Sequence, residues 1–292
     1  MIYRVRHVTT YTYPEAVSIC HNALHLRPRD SQRQQCAAYE LLVYPVPAVL
    51  HQAVDFFGNH VTFFAVQEPH RMLTVAADST VAVTPAEVPP APDTPAWEAV
   101  YDALRHDRSA ASLEAYQYVF DSPYIASSTL LRRYAAPSFP PGQPLLAAAL
   151  DLSRRIHAEF TYDSTATSVS TPLSEVLHTR HGVCQDFAHV QIGCLRALGL
   201  AARYVSGYLV TQPPPGRPRL VGADASHAWV SVYCPEVGWI DVDPTNNVLP
   251  SEHHITVAFG RDYGDVSPIQ GVFLGGGQHS VKIAVDVMPV DA

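Results

Sequence analysis

Apolar and polar residues alternate from Ile2 to Tyr13, which puts Tyr3, Val5, His7, Thr9 and Tyr11 on one side of an extended chain. Leu41 to Val46, Val61 to Val66 and Leu73 to Val83 are further short runs rich in β-branched and aromatic residues, the types that fit a pleated, half-buried surface. Phe57-Gly58-Asn59 supplies turn chemistry ahead of the Val61 run, as a hairpin needs. Residues 1–84 are therefore expected to form an antiparallel β domain, a sandwich. Pro85, Pro89, Pro90, Pro92 and Pro95 then crowd residues 85–95. That density continues neither a helix nor a ladder, so the segment is expected to be a stiff linker.

Beyond it the period changes. Trp97, Val100, Tyr101 and Leu104 fall three to four apart, and Leu145 to Phe160 predicts a second helix with Pro144 suited to its first turn. Thr171-Pro172 starts a short helix through Leu177. Strands are expected at Ala202 to Val210, His227 to Tyr233 and Trp239 to Asp243, with Pro213-Pro214-Pro215-Gly216 as an exposed loop between the first two. The strict alternation of Val281 to Val287 predicts a last strand within 278–290. Helices followed by an antiparallel sheet make residues 96–292 an α+β unit with its core at 145–265.

Composition narrows the setting. Hydrophobic residues make up 47% and charged residues 16% of 292, the balance of a folded protein. A net charge of −8 with no basic run argues against nucleic acid and against an anionic membrane surface as partners. Cys20, Cys36, Cys184, Cys194 and Cys234 are scattered and form no C-x-x-C pair, as in a reducing compartment rather than a disulfide framework. Met1-Ile2-Tyr3-Arg4-Val5-Arg6 opens no hydrophobic leader, and no apolar run approaches the ~18 residues of a membrane span. A cytoplasmic protein is the expectation.

One cysteine stands apart. His181-Gly182-Val183-Cys184-Gln185-Asp186-Phe187-Ala188 places Cys184 where a glycine-bearing turn enters a helix. Phe187, Val190, Cys194 and Leu198 mark one face of that helix, and Gly199 suits its C-terminal cap. A cysteine in the first turn feels the positive end of the helix dipole, which favours thiolate over thiol. A buried structural cysteine would fit the same position, so the reading depends on what else the chain supplies.

It supplies a base and an orienting acid. Along the Ser226 strand, His227, Trp229 and Ser231 share one face and Ala228, Val230 and Val232 the other. The apolar set suits a core, so His227 is expected to face outward, towards a site. Cys234-Pro235-Glu236-Val237-Gly238 joins this strand to the next as a short hairpin, which leaves Asp243 opposite or diagonal to His227. Asp241 lies nearer the turn and is the weaker partner. Cys184, His227 and Asp243 would then act as nucleophile, base and orienter, with the Cys184 backbone N–H as one oxyanion donor. The second donor is not evident.

At this point the chain resembles the transglutaminase-like superfamily, through Phe160-Thr161-Tyr162, Thr171-Pro172, Gly182-Val183-Cys184-Gln185-Asp186-Phe187-Ala188, Ser226-His227-Ala228-Trp229 and Gly238-Trp239 through Asp243-Pro244-Thr245. It looks most like the bacterial branch that carries an N-terminal β domain, and Gly260-Arg261-Asp262-Tyr263-Gly264-Asp265-Val266 matches a further segment of that branch. The resemblance implies a papain-related α+β fold and a triad of Cys184, His227 and Asp243. It covers members that cross-link glutamine to lysine and members that hydrolyse peptide or amide bonds. No acidic cluster of the kind used by calcium-dependent members is evident, and no cofactor is expected.

Other residues carry two readings each. Asp186 suits a helix-terminus charge as well as a place beside the site. Trp229 and Trp239 are packing aromatics or pocket walls, and Tyr162, Arg261 and Tyr263 are pocket candidates or hydrogen-bonded structural groups. His178, His181 and Cys184 are zinc-competent, but their three-residue spacing converges only on a continuous helix, which Gly182 interrupts. His253 and His254 point opposite ways on a strand and would not chelate together. The expected activity is acyl transfer to water from a peptide or protein substrate, a cysteine peptidase or amidohydrolase. Transamidation to an amine and a non-catalytic binding module on the same fold are the alternatives.

Overall fold

The computed structural model describes residues 1–210 and 226–290, so the loop expected at Pro213 to Gly216 lies outside the described residues. The first strand, β1 (Ile2–Leu24), is the spine of the N-terminal half. Its early part pairs with β5 (His70–Val83), beyond which lies β2 (Gln34–Tyr44); its late part pairs with β4 (His60–Val66), beyond which lies β3 (Val49–Val54). The ladder to β5 breaks between Thr12 and Val17, where Pro14 has no N–H to donate. Tyr3, Val5, His7 and Thr9 are buried on the side their alternation predicts.

The antiparallel β domain expected here is present, with seven strands hydrogen-bonded into one network. Its two ends share one apolar cluster, with Val17, Cys20 and Leu24 of β1 against Phe64 and Val66 of β4 and Leu73 and Val75 of β5. The last strand does not stay with the second half of the chain. β12 (Ile269–Gly275) and β13 (Ser280–Pro289) return to the free edge of β1, with Val287 across from Val5 and Val285 across from His7. The alternation that predicts a strand there does not say which edge it joins.

Between these lie the helices α1 (Trp97–His106), α2 (Ala110–Tyr116), α3 (Thr129–Ala135) and α4 (Leu145–Glu159). Pro144, expected inside the first turn of α4, is the residue just before it. Next come β6 (Thr161–Tyr162), α5 (Leu173–Thr179), β7 (His181–Gly182) and α6 (Cys184–Ala197). Gly199, at φ +80°, closes α6 in a conformation that costs other residues more. A four-stranded antiparallel sheet follows in the order β10-β9-β8-β11, from β8 (Ala202–Leu209), β9 (Ser226–Cys234), β10 (Gly238–Val242) and β11 (His254–Gly260). A short helix, α7 (Tyr263–Val266), leads from β11 towards β12.

One buried core joins the two halves. It runs from Tyr3, Val5, Val81, Val285 and Val287 of the first sheet through Leu152 of α4 and Val190 of α6 to Val230 and Val242 of the second. Both faces of β9 are buried: Ala228, Val230 and Val232 lie in this core, while Trp229 and Ser231 on the other face are also inaccessible. The His227 face, expected to point outward towards a site, is therefore itself packed over. His227 itself is only 8% exposed, because β9 is an inner strand with neighbours on both edges and packing on both faces. Among the described residues no helix is long and apolar enough to cross a membrane.

Candidate active site

The turn into α6 is built by short-range bonds. β6 and β7 pair in parallel, Thr161 with His181 and Tyr162 with Gly182, and deliver the chain to Val183 at the N-cap. Asp186 Oδ2 accepts the Val183 N–H at 2.8 Å and the Thr167 hydroxyl at 2.6 Å. Valine has no acceptor to return the bond, so this is half of a capping box. Gly182 is required by close approach, since a Cβ there would meet Asp186 Oδ2 at 2.6 Å. Burial pushes the Asp186 carboxyl up against the downward pull of these two bonds. Asp186 thus has the place of a helix cap. Cys184 follows as the first residue of α6, half-buried.

His227 and Asp243 meet at the far end of β9. The register sets Asp241 across from Ser231 and Val242 across from Val230. Asp243 is therefore next to the rung of Trp229, diagonal to His227, one of the two placements the sequence allows. Nε2 of His227 lies 2.7 Å from Oδ2 of Asp243, whose side chain is fully buried. Burial works against a charged ring, but the bonds to Asp243 and to Cys184, and their charges, outweigh it and raise His227 to about 10. For Asp243 burial raises the carboxyl, yet its bonds to His227, His254 and Asn246 hold it well below the usual carboxylate range. Asp243 takes Nε2, and Cys184 adds to the upward pull on the same ring.

Two members of this cluster escape the sequence reading. Asn246 donates from Nδ2 to Asp243 Oδ2 at 2.7 Å, and its backbone N–H, with that of Thr245, reaches Asp243 Oδ1 at 3.2 and 2.9 Å. Asn246 Nδ2 also lies 3.2 Å from His227 Nε2, but with Nε2 bonded to the carboxylate both atoms are donors, so its bond is to Asp243. His254 Nε2 is 3.2 Å from the same Oδ2. The polar turn after Asp243-Pro244 and a histidine heading an apolar strand were the available signals. The atoms of His227, Asp243 and His254 lie within 4.8 Å of one another, close enough in principle to hold a cation. Two ring nitrogens aimed at one carboxylate oxygen is instead the geometry of two N–H···O bonds.

The pocket candidates part company. Tyr162 is exposed and stands edge-on to Phe187, with ring centres 6.3 Å apart. Trp229 is buried between His227 and His254, at 6.1 and 5.2 Å, and so is no open wall. Trp239 packs on Tyr118 and Tyr233 and under the Arg203 guanidinium. It lines a cavity of about 640 Å³ with Arg29, Arg33 and Asp241, a cavity whose lining does not include Cys184, His227 or Asp243. Arg261 makes a two-pronged pair with Asp265, and Tyr263 donates its N–H to His189 of α6. The Tyr263 bond fastens α7 to α6, while the Arg261 pair ties α7 to the end of β11. Of the zinc-competent group, His181 is turned towards the Thr179 carbonyl through Nδ1, on β7 rather than on a helix shared with His178.

The family described as bacterial transglutaminase-like N-terminal region matches residues 3–82, and the transglutaminase-like superfamily matches residues 132–244. An uncharacterized protein of Mycobacterium tuberculosis is 44% identical over 299 residues, covering 99% of this chain and 93% of the relative. A protein-glutamine gamma-glutamyltransferase of Pseudomonas aeruginosa is 38% identical over 111 residues, 37% of this chain and 17% of that protein. A Cytophaga hutchinsonii crystal structure, described as a candidate cysteine protease, superposes with a TM-score of 0.77 at 20% identity, covering 100% of this chain and 91% of that one. The chain belongs to the transglutaminase-like superfamily, in the form that carries a bacterial transglutaminase-like N-terminal region.

Proposed function

We propose that the protein is a cysteine acyl-transfer enzyme that hydrolyses a peptide or amide bond. The observation that carries this reading is the 2.7 Å bond between His227 Nε2 and the buried Asp243 carboxylate, with Cys184 at the start of α6 acting on the same ring. In this reading His227 already holds the thiol proton as imidazolium, and the Cys184 sulfur attacks the carbonyl carbon. The backbone N–H of Cys184, at the start of the helix, has no helical partner and would donate to the developing oxyanion. His227 then protonates the leaving amine, so that the C–N bond breaks and a thioester to Cys184 remains. Water, deprotonated by His227, resolves the thioester and releases the acid. Asp243 holds the ring by Nε2 and balances its charge throughout. The free state of the described cysteines accords with the reducing, cytoplasmic setting we propose.

Transfer to an amine is the second reading. It is favoured by the 38% identity over 111 residues with the Pseudomonas aeruginosa protein-glutamine gamma-glutamyltransferase. The two part at the thioester, where water and amine compete. Incubation with a glutamine-containing peptide and a primary amine separates them by mass spectrometry. Hydrolysis predicts release of free acid, with the amine left unincorporated; efficient amine incorporation with little acid contradicts it.

A further inference from the structure

We propose that His254 is a positioning residue for the triad, a neutral third donor that helps to fix the Asp243 carboxylate for His227; this rests on the acyl-transfer reading above. Oδ2 of Asp243 faces three side-chain nitrogens: His227 Nε2 at 2.7 Å, Asn246 Nδ2 at 2.7 Å and His254 Nε2 at 3.2 Å. The two histidines approach from different strands, β9 and β11, so they hold the oxygen from separate parts of the backbone. His254 is 4% exposed and packs edge-on against Trp229, with ring centres 5.2 Å apart at 83°. Its Nδ1 is buried without a partner among the described residues. A carboxylate only accepts, so the hydrogen sits on Nε2, and a second hydrogen on Nδ1 would be stranded without an acceptor. The ring therefore donates without bringing a competing charge, and the negative charge of Asp243 remains for His227. The residue just before β11 is tied to β1, because His253 Nδ1 lies 3.1 Å from the Tyr3 hydroxyl.

The test is the pH dependence of Cys184 alkylation by iodoacetamide in the full chain, comparing wild type, His254→Phe, His254→Gln and His227→Ala. Phenylalanine keeps the ring packing and removes the donor, whereas glutamine places an N–H near the Nε2 position. His254→Phe should slow alkylation about tenfold, the scale of one lost bond to a charged group, and move the basic limb of the profile down. His254→Gln should stay within about threefold of wild type, on the argument that a restored donor recovers that bond. A purely structural role would lower the melting temperature and leave the limb in place. An unmoved limb in folded His254→Phe, or loss in His254→Gln equal to that in His254→Phe, overturns the inference. If His254→Phe does not fold, nitrogen-15 spectra of histidine-labelled wild type decide, since hydrogen on His254 Nδ1 contradicts the inference and hydrogen on Nε2 alone supports it. Wild-type Cys184 reacting no faster than in His227→Ala would instead remove the acyl-transfer reading itself.

Discussion

His227 is the residue in which opposing forces are most visible. Burial alone would discharge it, yet its bonds to Asp243 and Cys184 raise it to about 10 from an ordinary 6.5. A group raised on folding stabilises the fold fully below its unfolded value and loses that contribution as pH climbs through the folded one. The melting temperature of wild type should therefore fall towards that of His227→Gln between about pH 7 and pH 10. A constant offset between the two curves across that window would contradict the assignment. Asp243 has the opposite sign, since its depressed carboxyl adds stability that is lost only as pH falls well into the acid range. Asp243→Asn should lower turnover by about a thousandfold or more, by leaving the imidazolium without its counter-charge. At this scale the three residues of the candidate triad could be picked out in the sequence because each sits in a short, locally patterned motif. Asn246 and His254 could not, because they reach Asp243 from a turn and from a strand whose placement depends on tertiary pairing.

At the scale of elements, α6 depends on how the chain enters it. The Gly182 approach to Asp186 leaves no room for a Cβ, so Gly182→Ala should cost about 1–3 kcal/mol through overpacking. It should also displace the cap that sets Cys184. Thermal melts together with thiol-labelling rates check this; a wild-type rate would show that the cap and the nucleophile are uncoupled. Periodicity found α1, α4 and α6 because each carries a clear apolar face. It passed over α2 and α3, which are a few turns long at most and rest on caps from Ser109 and Ser128. It also missed β11 and β12, which are short and defined mainly by their partners. Alternation identified the buried face of β1 but not its length, because the strand continues past Pro14 by changing partners.

Across the whole molecule, the return of β12 and β13 to β1 closes the chain on itself, and one core spans both sheets. Calorimetry should accordingly show a single unfolding transition; two separable transitions would mean that the β1 sheet and the α6 half fold independently. Val287, inaccessible and opposite Val5, tests the same point. Val287→Asp would strand a charge in that core and should cost about 3 kcal/mol or more, read from denaturant melts. Pairing between the two ends of the chain is invisible to local pattern, which is why residues 278–290 could be read as a strand without revealing its neighbour.

The central claim is that Cys184 is a nucleophile activated by His227 and Asp243. Its most direct test is the rate at which a thiol-reactive probe labels each of the five cysteines below pH 8, resolved by mass spectrometry. Selective, rapid labelling of Cys184 that slows in His227→Ala is the expected result. Labelling of Cys184 no faster than that of an ordinary exposed thiol, and indifferent to His227, would contradict it.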